Sequence, residues 1–105
     1  MVKNFYICSV LQLATIKNIL LQLKPELIEK YHISSIGLFG SVVRHDFSEG
    51  SDIDIIVDFS KPIGIEFIDL ADYIESKLDK NIDLVSKKGI KQKYLQAIES
   101  EIIYV

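Results

Sequence analysis

The stretch from Ser51 to Phe59, with the sequence Ser-Asp-Ile-Asp-Ile-Ile-Val-Asp-Phe, constrains the fold of this chain more than any other. Its β-branched residues predict a strand, on which side chains alternate between two faces. The face predicted to point into a core carries Ile53, Ile55 and Val57. Asp52 and Asp54 share the opposite face, about 7 Å apart along the strand. Because like charges on one face repel, the pair indicates either a solvated strand face or a site for a divalent cation.

A second motif lies upstream, where the apolar residues 36–39 run into Gly40 and Ser41. A short helical turn is predicted next, and it contains Arg44, the only arginine among twelve basic residues. A glycine backbone, a serine hydroxyl and a planar guanidinium are all suited to contact phosphate oxygens. The alternative is an ordinary turn in which Ser41 caps the helix and Arg44 lies on the surface, and codon bias alone would explain the eleven lysines.

Hydrophobic periodicity predicts the remaining elements. A helix is expected over 12–23, and Pro25 either ends it or opens a second short helix. Further helices are expected at 65–78 and 90–99, and strands at 36–39, 53–59, 82–85 and, as a closing edge strand, 102–105. This order of elements predicts an α/β or α+β fold. We assign residues 12–105 to one domain and residues 1–11 to an N-terminal extension of unknown role.

Composition excludes several classes of protein. The chain has 105 residues, of which 49% are hydrophobic and 26% are charged, as expected for one folded domain. The net charge of −3 argues against a protein that coats nucleic acid or an anionic membrane. Cys8 is the only cysteine, and no stretch is apolar enough to span a bilayer, so we predict a cytoplasmic protein. Residues 46–83 hold eleven of the fifteen acidic residues, which indicates a solvated acidic face or a cation site.

The spacing between the two motifs is more specific than either motif alone. Gly40-Ser41, ten residues, then Asp52-x-Asp54 resembles the signature of the DNA polymerase β-like nucleotidyltransferase superfamily. The chain looks most like its minimal members, the MNT or MntA type, and the likeness covers residues 12–105, including 81–85 and the tail 101–105. The resemblance implies a small polymerase β-like fold, with a mixed sheet flanked by helices.

The resemblance also implies roles for individual residues. The positions that match nucleotide-binding residues of the family are Gly40, Ser41, Arg44 and Ser51. The positions that match its catalytic, metal-binding carboxylates are Asp52, Asp54 and Asp83. Two Mg²⁺ ions are expected between these carboxylates and the triphosphate of ATP. Asp83, placed by the family on a neighbouring strand, would complete the metal coordination or accept the proton of the attacking hydroxyl.

For proteins of the MNT type, the resemblance implies a HEPN-domain ribonuclease toxin encoded nearby as the partner, in a possible hetero-oligomer. The chain is then expected to be an Mg-dependent protein adenylyltransferase and antitoxin, which transfers AMP from ATP to a tyrosine of the toxin and releases pyrophosphate. We expect no membrane and no direct nucleic-acid contact. Two alternatives stay open: a non-catalytic antitoxin that neutralises the toxin by contact, and a nucleotidyltransferase for a small molecule.

Overall fold

The computed structural model describes the backbone of residues 5–44 and 51–105 and the side chains of residues 12–44 and 51–105. The elements in chain order are α1 (Phe5–Tyr31), β1 (Ile33–Phe39), α2 (Ser41–Arg44), β2 (Ile53–Phe59), α3 (Glu66–Leu78), β3 (Ile82–Ser86), α4 (Gln92–Ile98), a 3₁₀ turn (Glu99–Glu101) and β4 (Ile103–Tyr104). The predicted order of elements and the predicted α+β class, with a sheet flanked by helices, are confirmed.

The described strands form one mixed sheet with the order β3-β2-β1-β4. Strand β1 is antiparallel to both of its neighbours, β2 and β4, whereas β2 and β3 are parallel. The register places Phe39 of β1 opposite Asp54 of β2, and Asp54 opposite Asp83 of β3. The sheet therefore brings the end of β1 and the starts of β2 and β3 to the same edge.

The two faces of the sheet are covered unequally. Helices α1 and α3 pack on one face and bury the main core, whose members on the sheet include Ile36, Leu38, Ile53, Ile55 and Val57. On the other face, α4 contributes Leu95 and Ile98 to a smaller cluster with Phe39 and Ile56. Asp54 shares this second face with Ile56 because it lies two residues before it on the strand. The apolar cluster of α4 therefore occupies the middle of the second face, next to the acidic starts of β2 and β3.

Both expectations for Pro25, that it ends the first helix or opens a second one, are wrong, because α1 is one helix that contains Pro25 in its interior. Proline in a helix interior costs about 3 kcal/mol, since it removes a hydrogen bond and crowds the preceding turn. Apolar side chains on both sides of the proline are buried in the main core: Ile16, Leu20, Leu27 and Tyr31. Each such side chain contributes about 1.5–3 kcal/mol when fully buried, and together they outweigh the proline.

Other boundaries differ from the prediction by smaller amounts. Strand β1 begins at Ile33, three residues before the predicted start, and Ile33 is itself buried. Helix α1 begins at Phe5 and so crosses the predicted division between residues 11 and 12, which stays a prediction. Residues 1–4 of that extension lie outside the described residues. No helix in the described part of the chain has the length and apolar character needed to cross a membrane.

Candidate functional site

The three predicted catalytic acids lie at one edge of the sheet, where β2 and β3 begin. Asp54 and Asp83 are register partners on these parallel strands, and Asp52 directly precedes β2. Strand alternation gives Asp52 and Asp54 the same face. Asp52 and Asp83 are exposed, while Asp54 is half-buried. The structure therefore places Asp83 on the strand next to Asp54, as predicted.

Asp54 is the electrostatic centre of this group. Burial raises the pKa of its carboxyl above the ordinary value, and the negative charges of Asp83 and Asp52 raise the pKa further. Arg44 acts in the opposite direction and lowers it, whereas Glu101 adds a smaller upward contribution. Asp54 is thus a carboxylate surrounded by other carboxylates. Their repulsion disfavours its ionised form, and a bound cation would reduce this repulsion.

The donor chemistry of these residues fits Mg²⁺, which takes hard oxygen ligands. Within residues 12–44 and 51–105, no three His, Cys, Asp or Glu side chains stand close enough together to hold a metal ion. Such a closed set is not required, because Mg²⁺ is usually held by one or two carboxylates, with water and substrate phosphates as its other ligands. The sheet therefore provides some of the ligands that a metal ion needs, and the oxygens of a bound phosphate could provide others.

The Gly40 turn is pressed against Asp54. Gly40 has φ +78°, in the left-handed region where residues with a Cβ are strained. A Cβ at this position would also overlap the Asp54 carboxylate, whose Cγ would lie only 3.0 Å away. The Gly40 carbonyl accepts hydrogen bonds from the backbone amides of Val43 (3.0 Å) and Arg44 (3.1 Å), which close the short helix α2. Glycine is thus required here both by conformation and by the closeness of the carboxylate.

The other predicted nucleotide-binding residues surround this turn. Ser41 begins α2, Arg44 ends it, and half-buried Ser51 lies in the segment that leads into β2. The Arg44 side chain is 53% exposed, and its Nη1 donates to both carboxylate oxygens of Glu101, at 3.2 and 3.3 Å. Sequence and structure therefore agree on where these residues lie, and their contacts with a nucleotide stay predictions.

Glu101 is a site residue that sequence reasoning missed. Its carboxylate accepts hydrogen bonds from the Gly40 amide, at 3.0 Å, and from Arg44. It lies 61 residues from Gly40 along the chain, in the 3₁₀ turn before β4. Because only the tertiary fold brings them together, no local spacing could reveal this contact. The one signal is that Glu101 falls in the tail, 101–105, that resembles the minimal nucleotidyltransferases.

A cavity of about 390 Å³ lies where β2 and β3 end, far from the aspartates at the starts of these strands. Its lining includes Asp58, Phe59, Pro62 and Phe67, and none of the predicted site residues. Asp58 accepts a hydrogen bond from the backbone amide of Phe59 (3.0 Å), a local contact at the far end of the strand. The chemistry predicted from the sequence is therefore not located in this cavity. It is located where β2 and β3 begin, at the edge of the sheet that carries Asp52, Asp54 and Asp83, which we call the acidic edge.

Comparison with known proteins supports the resemblance over most of the chain. Residues 16–105 match the family model described as "Nucleotidyltransferase domain". The protein adenylyltransferase MntA of Thermococcus cleftensis is 40% identical over 98 residues, which cover 92% of this chain and 99% of that one. A Methanocaldococcus jannaschii protein provisionally named a protein adenylyltransferase is 41% identical over 95 residues, or 89% of this chain and 97% of its own. From the match to the family and the acidic edge beside the Gly40 turn, we conclude that this chain belongs to the nucleotidyltransferase domain family and is an enzyme of its minimal, MNT type.

Proposed function

We propose that this chain transfers AMP from ATP to a tyrosine of a HEPN-domain ribonuclease toxin and thereby acts as its antitoxin. The observation that carries the nucleotidyl-transfer chemistry is the register of Asp54 with Asp83, directly beside the Gly40 turn. The choice of AMP and of a protein acceptor is supported by relatives named as protein adenylyltransferases. The HEPN partner and the tyrosine acceptor follow from the resemblance to MNT antitoxins.

The acidic edge fits magnesium, and Asp52, Asp54 and Asp83 would hold it. When bound, Mg²⁺ would supply charge neutralisation for the triphosphate and the leaving pyrophosphate. The protein's own contribution is position: the sheet fixes Asp54 and Asp83 on adjacent strands, and Gly40 keeps the phosphate turn against them. Phosphoryl transfer depends mainly on such positioning and on charge stabilisation, so a chain of this size can supply what the reaction needs.

The proposed reaction is an in-line displacement at the α-phosphorus of ATP. The tyrosine oxygen of the acceptor forms a new bond to this phosphorus, and the bond from phosphorus to the oxygen that bridges the α and β phosphates breaks. Pyrophosphate leaves with that oxygen and its electron pair. The tyrosine proton passes to a carboxylate at the edge, for which exposed Asp83 is our candidate, and from there to water.

Intact mass spectrometry tests this proposal. The purified chain, ATP and MgCl₂ are incubated with a HEPN-domain toxin, sought first among the neighbouring genes, and the toxin is expected to gain mass in steps of one AMP residue. Asp54→Asn should abolish the gain. Asp58→Asn is the matched control, because Asp58 lies on the same strand but at its far end, and it should leave the transfer unchanged.

The same experiment separates the alternatives. If Asp54→Asn still neutralises the toxin while no adduct forms on it, the chain is an antitoxin that acts by contact. If the wild-type chain consumes ATP with small-molecule acceptors and leaves the toxin unmodified, it is a small-molecule nucleotidyltransferase. Either result would overturn the proposal, whereas AMP-modified, inactive toxin would support it.

A further inference from the structure

The carboxylate of Glu101 joins the two parts of the predicted phosphate site. Its Oε1 accepts the amide hydrogen of Gly40 (3.0 Å), and both of its oxygens accept from Nη1 of Arg44 (3.2 and 3.3 Å). The Glu101 side chain is only 25% exposed, compared with 53% for Arg44. A partly shielded carboxylate therefore holds the backbone of the turn and the guanidinium beyond it in one arrangement.

The backbone that carries Glu101 is fixed by the sheet. Strand β4 begins two residues later and pairs with β1 through Gly37–Tyr104 and Leu38–Ile103. Gly37 is packed so closely against this segment that an added Cβ would lie 2.7 Å from Ile102 Cγ2. Because β1 also ends at the Gly40 turn, the same strand sets the position of both the carboxylate and its partners.

The hydrogen bonds to Glu101 engage one nitrogen of the Arg44 guanidinium, Nη1. A guanidinium is planar and carries several N–H donors in a rigid fork, so holding one nitrogen restricts the directions in which the others can point. Charge-assisted hydrogen bonds are stronger than neutral ones, and the two here, at 3.2 and 3.3 Å, are at the long end of the range. Glu101 therefore helps to orient the Arg44 guanidinium through Nη1.

We propose that Glu101 is a positioning residue for nucleotide binding, which holds the Gly40 turn and aims Arg44 at the triphosphate. The proposal rests on the proposed function in that it takes this turn to be the nucleotide site. Glu101 acts through Gly40 and Arg44 and makes no contact with the reacting atoms. Its loss should therefore weaken binding of the nucleotide, while the strands keep Asp54 and Asp83 in their positions.

A rival interpretation predicts the opposite sign. The Glu101 carboxylate could be an internal anion that occupies the phosphate site and must leave when the nucleotide binds. Removing its charge would then strengthen nucleotide binding, because a competitor has gone. The direction of the change in affinity on Glu101→Gln thus distinguishes a positioning residue from a competing anion.

The test is the dissociation constant of a non-hydrolysable ATP analogue, measured by calorimetry in MgCl₂ for the full chain. Gln has the shape of Glu but lacks its charge, and Glu101→Gln should weaken binding roughly three- to tenfold, as expected for the loss of a charge-assisted contact. Glu99→Gln, an exposed glutamate in the same 3₁₀ turn, is the matched control and should change nothing. Melting curves establish that each variant is folded, and Glu101→Asp, which withdraws the carboxylate by one methylene, should also weaken binding if the Gln variant does not fold.

A double-mutant cycle shows whether Glu101 acts through Arg44. Arg44→Lys keeps the positive charge but loses the fork, and we expect it to weaken nucleotide binding by itself. Adding Glu101→Gln to Arg44→Lys should then cost less than it does in the wild-type chain. Additive effects, unchanged binding or tighter binding in Glu101→Gln would each overturn the positioning role. A wild-type chain that binds no analogue would instead overturn the nucleotide site, and this proposal with it.

Discussion

Asp54 is subject to two opposing demands. The proposed chemistry needs its carboxylate beside Asp83 and Asp52, but burial and these same neighbours raise its pKa in the folded chain. An acid whose pKa is higher in the folded state than in the unfolded state destabilises the fold once the pH exceeds its ordinary pKa. The position is therefore better suited to chemistry than to stability, as is common at functional sites.

Replacing Asp54 with Asn should raise the thermal midpoint while it abolishes AMP transfer. Asn has nearly the same shape and no charge, so the repulsion disappears. Because Asp54 is only half-buried, solvent weakens the effect, and we expect a gain of about 0.5 kcal/mol, or roughly 2–4 °C in a domain of this size. The measurement is differential scanning calorimetry in metal-free buffer at pH 7.

The pH dependence provides a second check on the same variant. Below the ordinary Asp pKa of 3.8, the wild-type carboxyl is protonated in both states and the advantage of Asn should vanish. Asp72→Asn, which removes one carboxylate from an exposed position of α3, is the control and should not raise the melting temperature at pH 7. An Asp54→Asn protein that melts below the wild type at pH 7 would contradict the expected repulsion at this carboxylate.

Gly40→Ala tests the requirement for glycine at the phosphate turn. A side chain in the left-handed region costs about 1–2 kcal/mol, and the new Cβ would also displace the Asp54 carboxylate. The melting temperature should fall by roughly 4 °C or more, and transfer should be lost. Gly64→Ala is the control, because Gly64 is exposed and an added Cβ there meets nothing closer than 3.8 Å. Equal stability and activity in the two alanine variants would show that Gly40 is not needed.

Helix α1 shows how packing overrides a local signal. Pro25 lies in the middle of the helix and its side chain is exposed to solvent. The apolar side chains before and after it in the helix are buried in the core. The carbonyl of Leu21, four residues earlier, is the one that proline leaves without its usual partner. Because the Leu21 side chain is 57% exposed, water can reach this part of the helix. The local signal predicts an interruption, but the buried face keeps the helix continuous.

Pro25→Ala should therefore stabilise the protein. Alanine restores the amide and removes the crowding, which is worth up to about 3 kcal/mol in a helix interior. The midpoint of urea unfolding should rise with an unchanged slope, since the surface exposed on unfolding stays the same. Gln22→Ala, at an exposed position in the same helix, should have almost no effect because the two residues have similar helix propensities. A loss of stability in Pro25→Ala would mean that the core requires a bend at this point.

The elements that could be predicted from the sequence are those with strong local signals. Strand β2 occupies the predicted residues 53–59 because it is rich in β-branched residues, of which Ile53, Ile55 and Val57 share one face and are buried in the main core. The predicted start of strand β1 is too late, since Ser34 and Ser35 interrupt the apolar pattern after Ile33. The contact of Glu101 with Gly40 could not be predicted, because it depends on how β4 pairs with β1. Motifs of neighbouring residues can thus be predicted from the sequence, whereas contacts between residues far apart in the chain can be found only once the fold is known.

At the scale of the whole molecule, most acidic residues lie in the middle third of the sequence, and three of them meet at the site. Residues 46–83 carry a net charge of −8, while the segments before and after them are both positive. Strands β2 and β3 start at the same edge, so Asp52, Asp54 and Asp83 come together although 31 positions separate the first from the last. A cation that binds at this edge would therefore stabilise the folded chain over the unfolded one, in which Asp83 is far from Asp52 and Asp54.

Magnesium should accordingly raise the melting temperature of the wild-type chain. At a concentration ten times its dissociation constant, a ligand of the folded state contributes about 1.4 kcal/mol. This corresponds to roughly 5–10 °C in a domain of this size. The measurement is a thermal titration with MgCl₂ against NaCl at matched ionic strength, which separates site binding from general screening of the acidic segment.

Asp54→Asn and Asp83→Asn should lose most of the magnesium-dependent rise, whereas Asp72→Asn should keep it. An equal rise in all of these variants would mean that magnesium only screens the acidic surface and does not bind where the strands begin.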